Sequence, residues 1–168
     1  MQAVVPSLKI KKLFPDVKTP TKAHATDSGH DLYAYRFIRL YSVDTEEQGL
    51  EIKETATFLD IPPLGRVLIA TGLSATVEDG YEIQIRPRSG NAIKKGLTVL
   101  NTPGTVDRSY RGDLSVILYN STHKSVKIEI GDRVAQAVVC PVTLSVIELV
   151  DELPETTRGI GGFGSTGV

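Results

Sequence analysis

The sequence predicts an all-β fold, a jelly-roll-like β barrel or sandwich of many short strands. Three observations predict it. Apolar residues recur at alternate positions, glycine or proline punctuates the apolar runs, and only one stretch reads as helix. Alternation of this kind sets one strand face in a core and the other in water.

In chain order, Leu8 and Ile10 alternate with Lys9 and Lys11 as a first strand. Residues 25–32 then carry Asp27 and Asp31 around a turn. Residues 41–55 hold the polar run Asp44-Thr45-Glu46-Glu47-Gln48-Gly49 between two partly apolar runs, which reads as an exposed hairpin. Further β-rich runs lie at 57–61, 66–71, 73–77, 81–85, 97–100, 113–120, 126–130, 133–140 and 144–150. Pro62-Pro63, Gly65, Gly72, Asp79-Gly80, Pro103-Gly104 and Gly131-Asp132 supply the turns. The one short helix falls between Ser89, read as its N-cap, and Gly96, read as its left-handed C-cap, with Lys94 and Lys95 suiting the C-terminal dipole. Residues 1–157 are thus expected to form one β domain with a hairpin added at about 41–57. The last eleven residues, 158–168, hold five of the fifteen glycines and bury too little to order themselves, so they read as an arm that is flexible until something binds it.

Length and composition narrow the function classes. A chain of 168 residues fits one domain. Nineteen Lys and Arg against twenty Asp and Glu give a net charge of -1, which argues against direct nucleic-acid binding through a broad basic surface. Cys140 is the sole cysteine, and His24, His30 and His123 are scattered, so neither a disulfide framework nor the usual zinc spacings arise. Cys140 in its apolar strand reads as a core residue. No apolar run approaches the roughly 18 residues of a membrane span, and no signal pattern opens the chain, so a soluble, intracellular, most simply cytoplasmic protein is expected.

The chemistry concentrates in a few segments. Arg86-Pro87-Arg88-Ser89-Gly90 leaves a strand and opens the helix, where unpaired N–H groups, guanidinium charge, a hydroxyl and a residue without Cβ suit an anion such as phosphate. A solvated turn in which Ser89 simply caps is the other reading. The 100–113 segment reads as a hairpin displaying Asn101 and Asp107, and a carboxylate held so can deprotonate a water; an Asp that merely accepts turn hydrogen bonds is the plainer reading. Asp31 could hold magnesium through water or bond to a loop. In the arm, Arg158, Ser165 and Thr166 suit phosphate oxygens and Phe163 suits stacking on a planar ligand, whereas a disordered end needs none of them.

Together, Asp27 through Leu32, Arg88-Ser89-Gly90, Gly104 through Gly112, Gly131 to Gln136 and Arg158 to Gly167 resemble, in order, the five sequence motifs of the homotrimeric dUTP pyrophosphatases, the dUTPases. The resemblance covers nearly the whole chain. It implies a threefold trimer with sites between subunits and C-terminal arms that close over neighbouring sites. It further implies hydrolysis of dUTP to dUMP and pyrophosphate with Mg2+, which lowers dUTP and supplies dUMP for thymidylate synthesis. By the same resemblance Asp107 is the general base that directs a water at the α-phosphorus. Tyr110 packs under the deoxyribose, and Asn101, Gly104, Thr105 and Val106 form the hairpin that pairs with uracil. Arg88, Ser89, Gly90 and Gln136 contact phosphate, while Phe163 with Gly164 covers the uracil. Arg158, Ser165 and Thr166 reach the γ-phosphate, and Asp31 binds magnesium through water. Residues 36–57 are longer than the family's usual connection, which suggests an added surface hairpin open to a protein partner. A relative acting on another deoxynucleotide, a bifunctional dCTP deaminase, and a nucleotide-binding module signalling through that hairpin are the alternatives.

Overall fold

Side chains that alternate in the sequence alternate in space. Along Tyr81–Arg86, Ile83 and Ile85 are buried while Glu82 and Gln84 stay half-exposed, and in Val126–Glu129 only Ile128 is buried. A computed structural model describes residues 5–42 and 49–162. Its strands are β1 (Lys9–Lys12), β2 (Gly29–Tyr33), β3 (Arg36–Tyr41), β4 (Leu50–Glu51), β5 (Phe58–Ile61), β6 (Arg66–Ala70), β7 (Leu73–Thr76) and β8 (Tyr81–Arg86). After the helix α1 (Ser89–Lys95) come β9 (Leu97–Val99), β10 (Gly104–Val106), β11 (Ser115–Asn120), β12 (Val126–Glu129) and β13 (Arg133–Pro141). All paired strands run antiparallel, and the all-β expectation holds.

Two larger sheets, β10-β8-β13-β2 and β4-β3-β6-β11-β9, are joined by the two-stranded pairs β1-β7 and β12-β5. The hydrogen bonds do not close them into one barrel. The sheets instead share a single core, with Ile83, Ala135 and Leu32 from one, Phe37, Ile69 and Leu118 from the other, and Leu73 and Ile128 from the pairs. Asn120, wholly buried, ties the loops at one end: its Nδ2 donates to the carbonyls of Ile61, Pro62 and Lys124, and its Oδ1 accepts from Thr122.

Three expectations need correction. Leu144 to Val150 forms no strand; Leu144, Val146, Ile147 and Leu149 are 86 to 95 % exposed, because the chain offers this segment no ladder to join. The 100–113 segment is no simple hairpin, since β9 pairs with β11 and β10 with β8, so the chain crosses between sheets there through a cis Thr102–Pro103 bond. Ser89 is the first helical residue rather than the cap; Arg88 occupies the cap with extended backbone, and no side chain caps the helix. Gly96 does adopt the left-handed conformation (φ 63°) that ends it. The β3–β4 ladder pairs Arg39 with Glu51 and Leu40 with Leu50, and the tip of that hairpin, 43–48, lies outside the described residues. Among the described residues no helix is long and apolar enough to cross a membrane.

Candidate active site

The polar end of the β10-β8-β13-β2 sheet carries a cleft of about 290 Å3, lined among others by Asp27, Gly29, Asp31, Arg88, Ser89, Gly90 and Gln136. Strand pairing brings them together. Gln136 on β13 lies between Asp31 on β2 and Arg86 on β8, and β8 runs straight into Arg88. Arg88 and Asp31 are both largely buried, and the Arg88 Nε donates to Asp31 Oδ1 at 2.6 Å, while Arg133 Nη1 donates to Asp31 Oδ2 at 3.2 Å. This pairing holds the Arg88 guanidinium along the cleft floor. Ser89 and Gly90 are exposed at its rim. A Cβ on Gly90 would meet no protein atom, so any need for glycine there comes from a ligand's approach. Arg86 turns elsewhere, donating to Gln84 Oε1 and to Cys140 Sγ.

A second cleft, about 190 Å3, is lined by Thr105, Val106, Asp107, Tyr110, Asp113, Leu114 and Ser115. Asp107 is exposed just past the end of β10, and its carboxylate accepts no hydrogen bond among the described residues. Tyr110, 46 % exposed, is fixed at both ends. Its N–H donates to the Asp107 carbonyl at 3.0 Å and its hydroxyl to the Asp113 carbonyl at 3.1 Å. Gly104 is buried, and a Cβ on it would press on Asn101 Nδ2 and on Ile85, so the Asn101 side chain lies against the head of β10.

Sequence reasoning missed Asp113. Its carboxylate accepts from the N–H groups of Thr71 and Gly72 at 3.0 to 3.1 Å and anchors the segment that carries Asp107 and Tyr110. Burial pushes its pKa up, outweighing these donors. No local signal marks such a residue, because its partners lie about forty positions away.

Of the expected site residues, Asp31, Arg88, Ser89, Gly90 and Gln136 line the first cleft and Thr105, Val106, Asp107 and Tyr110 the second, with no lining residue in common, while Asn101 and Gly104 line neither. Arg158 is exposed and donates to the Gly161 carbonyl within its own turn, and Phe163, Gly164, Ser165 and Thr166 lie outside the described residues. For magnesium, the described residues offer no cluster of three or more His, Cys, Asp or Glu. Asp31, with both oxygens already engaged by guanidinium groups, is better suited to meet a hydrated ion through a water than to bind one directly.

A family model described as dUTPase matches residues 44–167. The chain belongs to the dUTPase family. It is 43 % identical to a deoxyuridine 5'-triphosphate nucleotidohydrolase of Nautilia profundicola over 160 residues, 95 % of this chain and 98 % of that one. With the protein so named from Wolinella succinogenes the identity is 59 % over 109 residues, 65 % of this chain and 73 % of the other. Among solved structures, the dUTPase of Staphylococcus bacteriophage 80alpha with dUPNHPP superposes with a TM-score of 0.75 at 24 % identity, covering 96 % of this chain and 99 % of that one. A dUTPase of phage phi11 of S. aureus, described for its coordination of a structural Mg(II) ion, gives a TM-score of 0.68 at 19 % identity over 89 % of this chain and 99 % of that one. The family resemblance is thus borne out, and this dUTPase-family chain is an enzyme of that class.

Proposed function

We propose that this enzyme hydrolyses dUTP to dUMP and pyrophosphate at sites assembled between three copies of the chain. The observation that carries the reading is the separation of the two clefts. The cleft of Arg88, Ser89, Gly90 and Gln136 offers donors suited to a triphosphate, and the Asp107–Tyr110 cleft suits a nucleoside and a water, yet on one chain the two share no lining residue. A neighbouring copy joins them, and the uncovered apolar segment around Ile147 and Leu149 is the surface such an assembly would bury.

In the reaction, the free Asp107 carboxylate accepts a proton from a water whose oxygen attacks the α-phosphorus. The bond from that phosphorus to the bridging oxygen breaks, and pyrophosphate leaves. Arg88 and the Gln136 amide hold phosphate oxygens, with Asp31 keeping the guanidinium in place. Mg2+ carried on the triphosphate, touched by Asp31 through water, would offset negative charge as it develops. Tyr110 under the sugar leaves no space for a 2′-hydroxyl, and Asn101 with the β10 backbone reads the uracil edge. The arm, through Arg158, Phe163, Gly164, Ser165 and Thr166, closes over a neighbour's site and excludes bulk water. The product dUMP would feed thymidylate synthesis, in the cytoplasm.

Pyrophosphate release measured with dUTP, dCTP, dTTP and UTP, with and without Mg2+, tests this: turnover confined to dUTP and dependent on the ion is expected. Equal turnover of dTTP, or full-speed cleavage by a well-folded monomer, overturns it. Truncation before Arg158 should remove most activity and leave the trimer.

A second role attaches to the β3–β4 hairpin. β4 lies at the edge of its sheet with Leu50 57 % exposed, a surface suited to a protein partner, and phage dUTPases similar in fold are described as acting by a G protein-like mechanism. Deleting the hairpin should leave dUTP turnover unchanged.

A further inference from the structure

Gly29 is the first residue of β2, at the strand end that lines the cleft, where a residue without a side chain marks a close approach of something else. It does not need glycine's conformational freedom, since its φ is not among the positive ones. What it needs is space. On the antiparallel pair β2–β13, Gly29 lies opposite Val138 and Asp31 opposite Gln136, so the Gln136 side chain can lean diagonally across Gly29. A Cβ built on Gly29 would run into Gln136 Oε1 and come within 2.9 Å of its Cδ and 3.2 Å of its Cβ.

The same amide reaches the other way. Gln136 Nε2 donates to the Pro87 carbonyl at 2.9 Å, one residue before Arg88. That bond identifies the nitrogen side of the amide and uses one of its two hydrogens. With Oε1 laid over Gly29 and one hydrogen on Pro87, the remaining hydrogen is left for the cleft shared with Arg88 and Ser89. A Cβ on Gly29 displaces Oε1, and the amide cannot move without turning away from Pro87 or swinging into the space a phosphate would take.

We propose that Gly29 is a positioning residue of the site: its missing side chain is the seat that holds the Gln136 amide flat and aimed at a substrate phosphate. This rests on the reading of Gln136 as a phosphate contact. Gly29 itself touches no reacting atom and acts through Gln136.

A double-mutant cycle in kcat and KM for dUTP, using Gly29→Ala, Gln136→Ala and the pair, tests it, with the melting temperature of each variant recorded. Gln136→Ala should lower kcat/KM about tenfold or more, and Gly29→Ala should do about the same. In the Gln136→Ala background, where the obstructing amide is gone, adding Gly29→Ala should cost less than about twofold. A strand defect alone would instead lower melting temperature equally in both backgrounds and leave the kinetic losses additive; additive losses, or a fully active Gly29→Ala, overturn the proposal. Should Gly29→Ala not fold, the paired variant decides, because it must fold and match Gln136→Ala, and a pair that falls well below it also overturns the seat. Failure of the underlying reading shows separately, as an unchanged kcat/KM for Gln136→Ala alone.

Discussion

The Arg88 Nε lies 2.6 Å from Asp31 Oδ1, joining the end of the β8 strand to β2 across the intervening β13. Arg133 reaches the same carboxylate from the start of β13. A guanidinium otherwise free to sweep through solvent is thereby held in one orientation, which lowers the entropy that binding the proposed phosphate would cost. Asp31 and Asp27 on the lining also offset the Arg88 charge, so the site is shaped by orientation more than by net charge.

Asp31→Asn should accordingly harm both stability and catalysis. Two guanidinium groups lose their countercharge, one of them largely buried, at a cost of about 1 to 3 kcal/mol. The freed Arg88 loses its aim, and kcat/KM for dUTP should fall by about ten- to a hundredfold. Urea unfolding and steady-state kinetics on the same preparation read the two effects. Retained activity at full stability would show that the pair is ornamental.

Asp113 supplies a pH-dependent prediction. Its folded pKa is raised, chiefly by burial, so its protonated form is favoured by folding relative to the unfolded chain. The stability it contributes is therefore fully present below the unfolded value and is lost as pH rises through the raised folded value. Asp113→Ala should destabilise by about 2 to 4 kcal/mol, since the buried N–H groups of Thr71 and Gly72 lose their acceptor, and the difference from wild type should widen on acidification. Unfolding free energies of both proteins from pH 3 to about 7 measure the slope, for which a narrowing difference would be the wrong sign.

Much of this architecture is legible in the sequence, and most of the exceptions share one cause. Strands such as β8 and β12 announce themselves because a two-sided environment leaves alternating Ile against Glu, Gln and Lys. Arg88, Ser89, Gly90 and Gln136 stand in readable motifs, and they do line one cleft. What stays hidden is whatever depends on a distant partner. The 144–150 run has strand-forming residues but no ladder on its own chain. Asp113 gains its meaning from Thr71 and Gly72, and Gly29 from Gln136, more than a hundred positions on. Ser89 misleads for a local reason, since the chain is extended only as far as Arg88 and turns helical at Ser89, one residue earlier than a capping serine would need.

Asn120→Ala should separate stability from catalysis. Removing this side chain strands the Ile61, Pro62 and Lys124 carbonyls in a buried end of the fold, at a residue that lines neither cleft. A loss of about 3 kcal/mol in unfolding free energy is expected, with kcat and KM at low temperature unchanged. Differential scanning calorimetry and an assay at a permissive temperature give both numbers.

The proposed sharing of sites between copies makes its own prediction. If the Arg88 cleft of one copy must meet the Asp107 cleft of another, Asp107→Asn and Arg88→Ala each inactivate every site of their homotrimer. Unfolded together and refolded as a mixture, they form trimers in which some sites take an intact cleft from each parent. Random assortment of equal amounts leaves about a quarter of sites with both groups intact, so mixed refolding should recover about a quarter of wild-type turnover. Chains that carried the whole site alone would recover nothing on mixing, because each would still lack its own group. Replacing Ile147 and Leu149 by aspartate adds a control. By charging the apolar segment that assembly would bury, it should yield smaller species on sedimentation and abolish the recovery, whereas full recovery with the charged segment would place the subunit contact elsewhere.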